Sequence, residues 1–197
     1  MQAFLFDLDG VLIDTESVYS RIWSDIESHF PTGIDNFARV IKGTTLESIL
    51  GNYFSAPDVR DKAEAMLHAA EEKMTYDLCR GAASLLASLR GRNVPVALVT
   101  SSDDEKMRLL AAQQPALVEG FDVIIDGSQV ERSKPDPQGY LMAAQRLGVS
   151  PELCVVVEDS LQGVKAGRAA GAYVIGVAGY ARARRDTALL RHCGRFA

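Results

Sequence analysis

Asp7 and Asp9 stand one residue apart at the end of an apolar run, Ala3 to Phe6, and Gly10 follows directly. On a strand, a spacing of two puts both carboxylates on one side. The glycine then lets the backbone turn away and leave them facing a crevice. Two like charges about 4 Å apart repel by roughly 4 kcal/mol at an effective dielectric near 20, so the pair calls for a cation, a shared proton or solvation. Taken alone, the triplet also reads as a solvated acidic turn. Three further polar groups recur down the chain: Thr100–Ser101–Ser102 after the run Val94–Val99, the segment Ser133–Lys134–Pro135–Asp136, and Glu158–Asp159–Ser160 after Leu153–Val157.

Gathered in one crevice, Asp7, Asp9, Glu158 and Asp159 with Lys134 sum to about −3, which is too repulsive to stand without a counter-ion. Oxygen-only ligands with open positions suit a hard cation that keeps several waters, Mg²⁺ rather than zinc. A hydroxyl at Thr100, a lysine and a helix N-terminus beside that ion make a phosphate cradle. A carboxylate is already ionised at neutral pH and needs no base before attacking phosphorus. Asp7 is therefore expected as the nucleophile, with Lys134 and the metal offsetting anionic repulsion. Asp9 is expected to protonate the leaving oxygen and later activate water, which requires a raised pKa. Glu158 and Asp159 are expected to hold the metal together with the first two aspartates, Asp159 in direct contact.

The elements that must position these groups are legible in the periodicity. After the first strand, Asp14 or Thr15 can cap a helix carrying Val18, Tyr19, Ile22, Trp23, Ile26 and Phe30. Leu46, Ile49, Leu50, Tyr53 and Phe54 mark a second amphipathic helix behind Thr44–Thr45. A third is expected from Asp58, through Val59, Ala63, Met66, Leu67, Ala70 and Met74. This helical block between Thr15 and Arg80 contains nothing strand-like and is too short to stand comfortably alone. From Gly81 strands and helices alternate: strands at Val94–Val99, Phe121–Ile125, Leu153–Val157 and Ala172–Val177, with helices from Ala82, Asp103, the Ser133–Asp136 segment and beyond Ser160. Fully apolar strands alternating with helices predict a parallel sheet covered on both faces, with its ligand crevice outside the carboxyl ends of the strands.

Composition excludes several classes. With 197 residues, 47% hydrophobic, 24% charged and a net charge of −5, the chain is an ordinary globular protein with no global field toward nucleic acid or acidic membranes. Arg182, Arg184, Arg185, Arg191 and Arg195 are spaced like the solvated face of a helix. Cys79, Cys154 and Cys193 form neither a metal-like spacing nor a disulfide framework. The N-terminal segment lacks signal-peptide character, and no apolar run is long enough for a membrane span. A cytoplasmic monomer is expected.

The motifs D7-L-D-G-V-L-I-D-T15, V99-T-S-S102, S133-K-P-D136 and V157-E-D-S-L-Q-G163 with A169-A-G-A-Y-V-I-G176 resemble the haloacid-dehalogenase-like superfamily, specifically its phosphatase and phosphoglucomutase branch. The resemblance covers nearly the whole chain. It implies an α/β fold: a Rossmann-like core from residues 1–14 and 81–197 with an all-helical cap at 15–80. It also implies Mg²⁺, an aspartyl-phosphate intermediate and a small phosphorylated metabolite such as a sugar phosphate as substrate. K42-G-T-T45 resembles a cap segment that meets substrate, which adds Gly43 and Thr44 to Gly10 and Ser101 as expected substrate contacts. Two features depart from the relatives: Arg80 precedes Gly81 where proline is common, and the edge after the last helix, which relatives often extend, is expected to be short or absent. Mutases of this branch carry a histidine where this chain has Tyr19 and an arginine where it has Leu46, so hydrolysis is expected over mutase chemistry unless Lys42 or Lys73 takes the arginine's place. Phosphoacceptor receiver domains share the acidic pair, hydroxyl and Lys–Pro, but not the helical insertion or the later acidic pair. A dinucleotide site is not expected, because the first strand-to-helix turn lacks G-x-G-x-x-G.

Overall fold

A computed structural model describes residues 1–177. The tail arginines, Cys193 and the C-terminal edge fall outside the described residues. Five short strands, β1 (Ala3–Phe6), β2 (Val96–Val99), β3 (Val123–Ile125), β4 (Cys154–Glu158) and β5 (Tyr173–Gly176), form one wholly parallel sheet in the order β3-β2-β1-β4-β5. The chain runs outward from β1 through β2 to β3, then crosses back to β4 on the other side of β1. The strand order therefore reverses between β1 and β4, where open α/β sheets form their ligand crevice. Register places Phe6 beside Leu98 and Val157, so Asp7 emerges next to Glu158.

Strand alternation sorts the core. Phe6, Val96, Leu98, Val155 and Val157 face one cluster with Leu86 and Leu89 of α5 (Ala82–Gly91) and Leu110 of α6 (Asp104–Gln113). Ala3, Leu5, Ala97, Val99 and Val156 face the other, with Tyr140, Ala143 and Ala144 of α8 (Gln138–Leu147) and Ala166 of α9 (Leu161–Ala169). A short α7 (Pro115–Val118) leads into β3. Both faces are covered, which is why the strands read as continuous apolar runs.

The block after β1 is all helix: α1 (Glu16–His29), α2 (Phe37–Val40), α3 (Leu46–Tyr53) and α4 (Pro57–Glu71). These helices, the block expected as the cap, close around their own cluster, with Trp23, Ile26, Phe37, Ile41, Ile49, Leu50, Phe54, Ala63 and Leu67 at its centre. Some boundaries move. Thr15 precedes α1 without capping it, because its hydroxyl donates to Asp9 instead. The third predicted helix begins at Pro57 rather than Asp58 and stops at Glu71, leaving Met74 to pack in the sheet core. Ser133–Asp136 forms a turn, with a cis Lys134–Pro135 bond, and α8 begins only at Gln138. Thr45 and Asp103 do cap their helices, accepting from the amides of Ser48 and Lys106. Among the described residues no helix is long and apolar enough to cross a membrane.

Candidate active site

The residue after β1, Asp7, is fixed by its own amide, which donates to Val157 across the β1–β4 boundary at 3.0 Å. Its Oδ1 accepts from Lys134 Nζ at 2.6 Å, and the same ammonium donates to Glu158 Oε1 at 2.7 Å and to the Val99 carbonyl at 3.2 Å. Lys134 thus ties the ends of β1, β2 and β4 together. Glu158 is fully committed: Oε1 also accepts from Tyr140 at 3.0 Å, and Oε2 accepts from both the amide and the hydroxyl of Ser160 at 2.9 Å. Gly163 makes room for it, since a Cβ there would lie 1.6 Å from Oε1. Asp159 sits against Gly10, where a Cβ would lie 1.9 Å from Oδ2; Gly10 also takes a φ of +76° that favours glycine.

One oxygen from each of Asp7, Glu158 and Asp159 lies within 4.8 Å of the others. Asp159 Oδ1 is buried without a hydrogen-bond donor. A buried carboxylate oxygen left unsatisfied is costly, and this one faces two further carboxylates, so the donor set fits a hard divalent cation.

Asp9 behaves differently from its neighbour. The strand ends at Phe6, and after the turn the Asp9 carboxylate meets Lys106 Nζ at 2.7 and 2.6 Å, one contact to each oxygen. Thr15 and Ser102 also donate to it, Ser102 at 3.3 Å. Lys106 comes from α6 on one face of the sheet, whereas Lys134 precedes α8 on the other. The two aspartates relieve their repulsion by taking separate cations. The Asp9 carboxylate is held here by Lys106, and the carboxylates that cluster are Asp7, Glu158 and Asp159.

The electrostatics follow from these partners. Burial, reinforced by Glu158, pushes Asp7 up to about 8 against the pull of Lys134. Burial likewise pushes Asp159 up to about 6 against Lys42. For Asp9 burial is outweighed by Lys106 and by the hydrogen bonds it accepts, and its pKa falls below the ordinary value. The raised pKa expected for an acid at Asp9 is thus reversed: it is an anion at neutral pH. Glu158 is also held low, by Lys134 and Ser160 despite burial.

Lysines 42 and 106 are site groups that the sequence pattern did not mark as partners of the aspartates. Lys42 reaches from the cap to Asp159 Oδ2 at 2.6 Å and to Glu16 at 3.1 Å. Lys106 belongs to a polar helix start that reads as solvated, yet its side chain is only 5% exposed. Counting Glu16, five carboxylates face three ammonium groups, about −2 when all are ionised, a charge one divalent cation offsets.

The remaining expected residues converge on the same place. Thr100, 4% exposed at the end of β2, donates to the Ser102 hydroxyl at 2.9 Å and accepts from its amide at 3.0 Å. Ser101 donates to the Gly43 carbonyl at 2.9 Å, which docks the cap loop on the core. Gly43 has a φ of +82° and lies so near Ser160 that a Cβ would stand 2.6 Å from its hydroxyl. Between cap and sheet lies a cavity of about 350 Å³ lined by Asp7, Asp9, Thr44, Thr100 and Asp159 among others, a size suited to a small metabolite. Tyr19 and Leu46 are on its wall, as are Arg39 and Glu71; Lys73 is exposed and not among the lining residues. Tyr19 donates to Glu71, and the Lys106 ammonium lies 4.2 Å from its ring centroid.

Comparison with known proteins agrees with this geometry. Residues 1–171 match the family model described as haloacid dehalogenase-like hydrolase. The chain is 34% identical over 180 residues to hexitol phosphatase A of Escherichia coli, covering 89% of this chain and 82% of that one. It is 33% identical over 178 residues to a phosphorylated carbohydrates phosphatase of Thermotoga maritima, covering 87% and 82%. The crystal structure of β-phosphoglucomutase from Clostridium difficile superposes with a TM-score of 0.76 at 26% identity, covering 92% of this chain and 86% of that one.

Proposed function

The chain belongs to the haloacid dehalogenase-like hydrolases, within their phosphatase and β-phosphoglucomutase branch, and from that premise we propose that it hydrolyses a small phosphate monoester, a sugar phosphate or similar metabolite, through an aspartyl-phosphate on Asp7. It is by class a phosphoric monoester hydrolase. The observation that carries the reading is Asp7 itself, bound to Lys134 at the reversal of strand order and open to the cavity beside the donorless oxygen of Asp159. Residues 1–14 and 81–197 act as the catalytic core and 15–80 as the cap domain.

Asp7 and Asp159 would hold Mg²⁺, with Glu158 fixing their surroundings. When bound, the ion supplies positive charge that polarises the phosphoryl group and offsets the repulsion between it and the carboxylates. Asp7 attacks phosphorus, and Lys134, already on its Oδ1, steadies the charge gathered there. Thr100, Ser101 and the loop amides orient the phosphoryl oxygens. Asp9, ionised beside Lys106, is suited to take a proton from water in the hydrolytic half-reaction. To act first as an acid it must gain a proton, which an incoming phosphate dianion favours by drawing the Lys106 charge toward itself.

Phosphoryl transfer between sugar hydroxyls is the second reading. One observation favours it: Arg39 lines the cavity and offers a guanidinium suited to a distal phosphate. Against it, no histidine lines the cavity among the described residues, and Tyr19 is occupied with Glu71. A panel of phosphate monoesters with Mg²⁺, followed by phosphorus NMR, decides between them. Release of free phosphate is expected. With β-glucose 1-phosphate and a trace of the bisphosphate, rapid formation of glucose 6-phosphate with little free phosphate would establish the mutase instead.

A further inference from the structure

Glu71 ends α4 on the cavity wall and is 2% exposed. Its Oε1 accepts from the Tyr19 hydroxyl, and its Oε2 is buried without a donor. Neither the aspartyl-phosphate chemistry nor the metal triplet uses this carboxylate. A buried carboxylate oxygen normally has a donor, and one that borders a ligand cavity is complementary to a donor carried by the ligand.

Two features narrow the donor's chemistry. The negative charge at this wall repels a second phosphate or carboxylate on the substrate. The Lys106 ammonium, close enough to act on the Glu71 charge and stacked over the ring of Tyr19, disfavours a second cation. His68 and Asp103 stand beside Glu71 but pair with each other at 3.2 Å. The Tyr76 hydroxyl is also near enough to act on Glu71, yet it is buried without a hydrogen bond to it, and a neutral hydroxyl of the ligand remains. Resting on the phosphatase reading above, we propose that Glu71 is the specificity residue for the substrate's carbon chain, accepting a hydroxyl of a polyol or sugar monophosphate at Oε2. Tyr19 positions it, and through Lys106 the same wall leads to Asp9, so the hydroxylated chain lies between Glu71 and the phosphoryl group.

The test compares a hexitol monophosphate with phenyl phosphate, which has no hydroxyl to donate, in the Mg²⁺-loaded full chain. A charge-assisted hydrogen bond corresponds to a discrimination of roughly 10- to 100-fold. Glu71→Ala should lower the ratio of kcat/KM for the hexitol phosphate over phenyl phosphate by about that factor, and Glu71→Gln, which keeps an acceptor and nearly the same shape, should restore most of it. Calorimetric binding of the hexitol phosphate to Asp7→Asn, with and without Glu71→Ala, should show a matching loss of affinity. An equal loss on both substrates, or an unchanged ratio and affinity, would overturn the assignment, leaving Glu71 a structural group solvated by water. A preference for glucosamine 6-phosphate over glucose 6-phosphate that Glu71→Gln abolishes would also overturn it, in favour of an ammonium ligand. If the wild-type protein turns over none of these esters, the phosphatase reading fails, while the binding comparison still judges Glu71.

Discussion

Replacing Lys106 by methionine keeps the aliphatic stem against the Tyr19 ring but removes the cation that holds both oxygens of Asp9. Breaking a buried ion pair by deleting one partner typically costs about 3–5 kcal/mol, because the other charge is left buried. Asp9 keeps hydrogen bonds from Thr15 and Ser102, and its side chain is 27% exposed, so the loss should fall around or just below the bottom of that range, about 2–4 kcal/mol. At about 2–4 °C per kcal/mol for a chain of this size, the Tm should fall by roughly 4–16 °C.

The pH dependence has a definite sign. In the wild-type protein the Asp9 pKa is depressed below 3.8, so its stabilising contribution is present above that value and lost as pH falls through the lower folded value. Without Lys106 the folded pKa rises, Asp9 protonates readily, and the defect of Lys106→Met should shrink as pH is lowered from 7 toward about 4.5. Adding Asp9→Asn should recover most of the loss, since no buried charge remains to be compensated. The measurement is thermal unfolding followed by circular dichroism across pH for the two single variants and the double variant. A Tm within about a degree of wild type for Lys106→Met, or strictly additive losses in the double variant, would refute the ion-pair account.

Asp7→Asn should lower turnover by at least about 1,000-fold while leaving the fold intact, because the amide is a far poorer nucleophile; substantial phosphatase activity, with deamidation excluded by mass spectrometry, would refute the assignment. Mg²⁺ must displace protons from groups at about 8 for Asp7 and about 6 for Asp159, so its affinity, read by calorimetry, should rise from pH 6 to pH 8. These raised carboxylates hold protons in the folded state that the unfolded chain has released, so in chelator their contribution to stability should fall over the same interval, and the gain in Tm from Mg²⁺ should widen. Gly163→Ala would place a methyl 1.6 Å from Glu158 Oε1, forcing that side chain off Lys134 and Tyr140; a loss of more than about 2 kcal/mol in urea unfolding is expected, and a neutral effect would show that Glu158 has another rotamer available.

The sheet was legible because a parallel sheet buried on both faces demands continuous apolar strands, and all five predicted strands are present. The rule that ligands meet such sheets at the strand carboxyl ends brings Asp7, Lys134, Glu158 and Asp159 together from the sequence alone. What escaped the sequence is carried by helices. Lys106 lies in D103-D-E-K-M-R108, a stretch that has the composition of a solvated helix start; only the packing of α4 against α6 and the ring of Tyr19 bury it. Glu71 likewise closes an amphipathic helix in E71-E-K73 and looks like its polar end. Period-two reasoning put Asp7 and Asp9 on one side. That holds only while the strand continues, and β1 stops at Phe6.

The seam between cap and core is wired into the site itself. Ser101 holds the Gly43 carbonyl, Lys42 holds Asp159, Ser48 meets Ser133 at 3.1 Å, and His68 meets Asp103 at 3.2 Å. Every core partner in that set sits in a loop beyond a strand end or at the start of the helix that follows, beside a proposed catalytic group. The apolar clusters meet mainly through α1, where Tyr19 and Ile22 pack against both; the rest of the contact over the strand ends is polar. Net contributions are about 1 kcal/mol for a neutral hydrogen bond and about 1.5–3 kcal/mol where a charge takes part, so this polar set holds the block to the strand ends alongside the apolar packing of Tyr19 and Ile22. Lifting the block would take the Lys42 ammonium away from Asp159 and the carboxylate of Glu71 away from Lys106. On the proposed function, the Lys42–Asp159 contact would tie the helical block to the proposed cation site through the same atoms, and Gly43 lies so near Ser160 that any side chain there would hold the two parts apart.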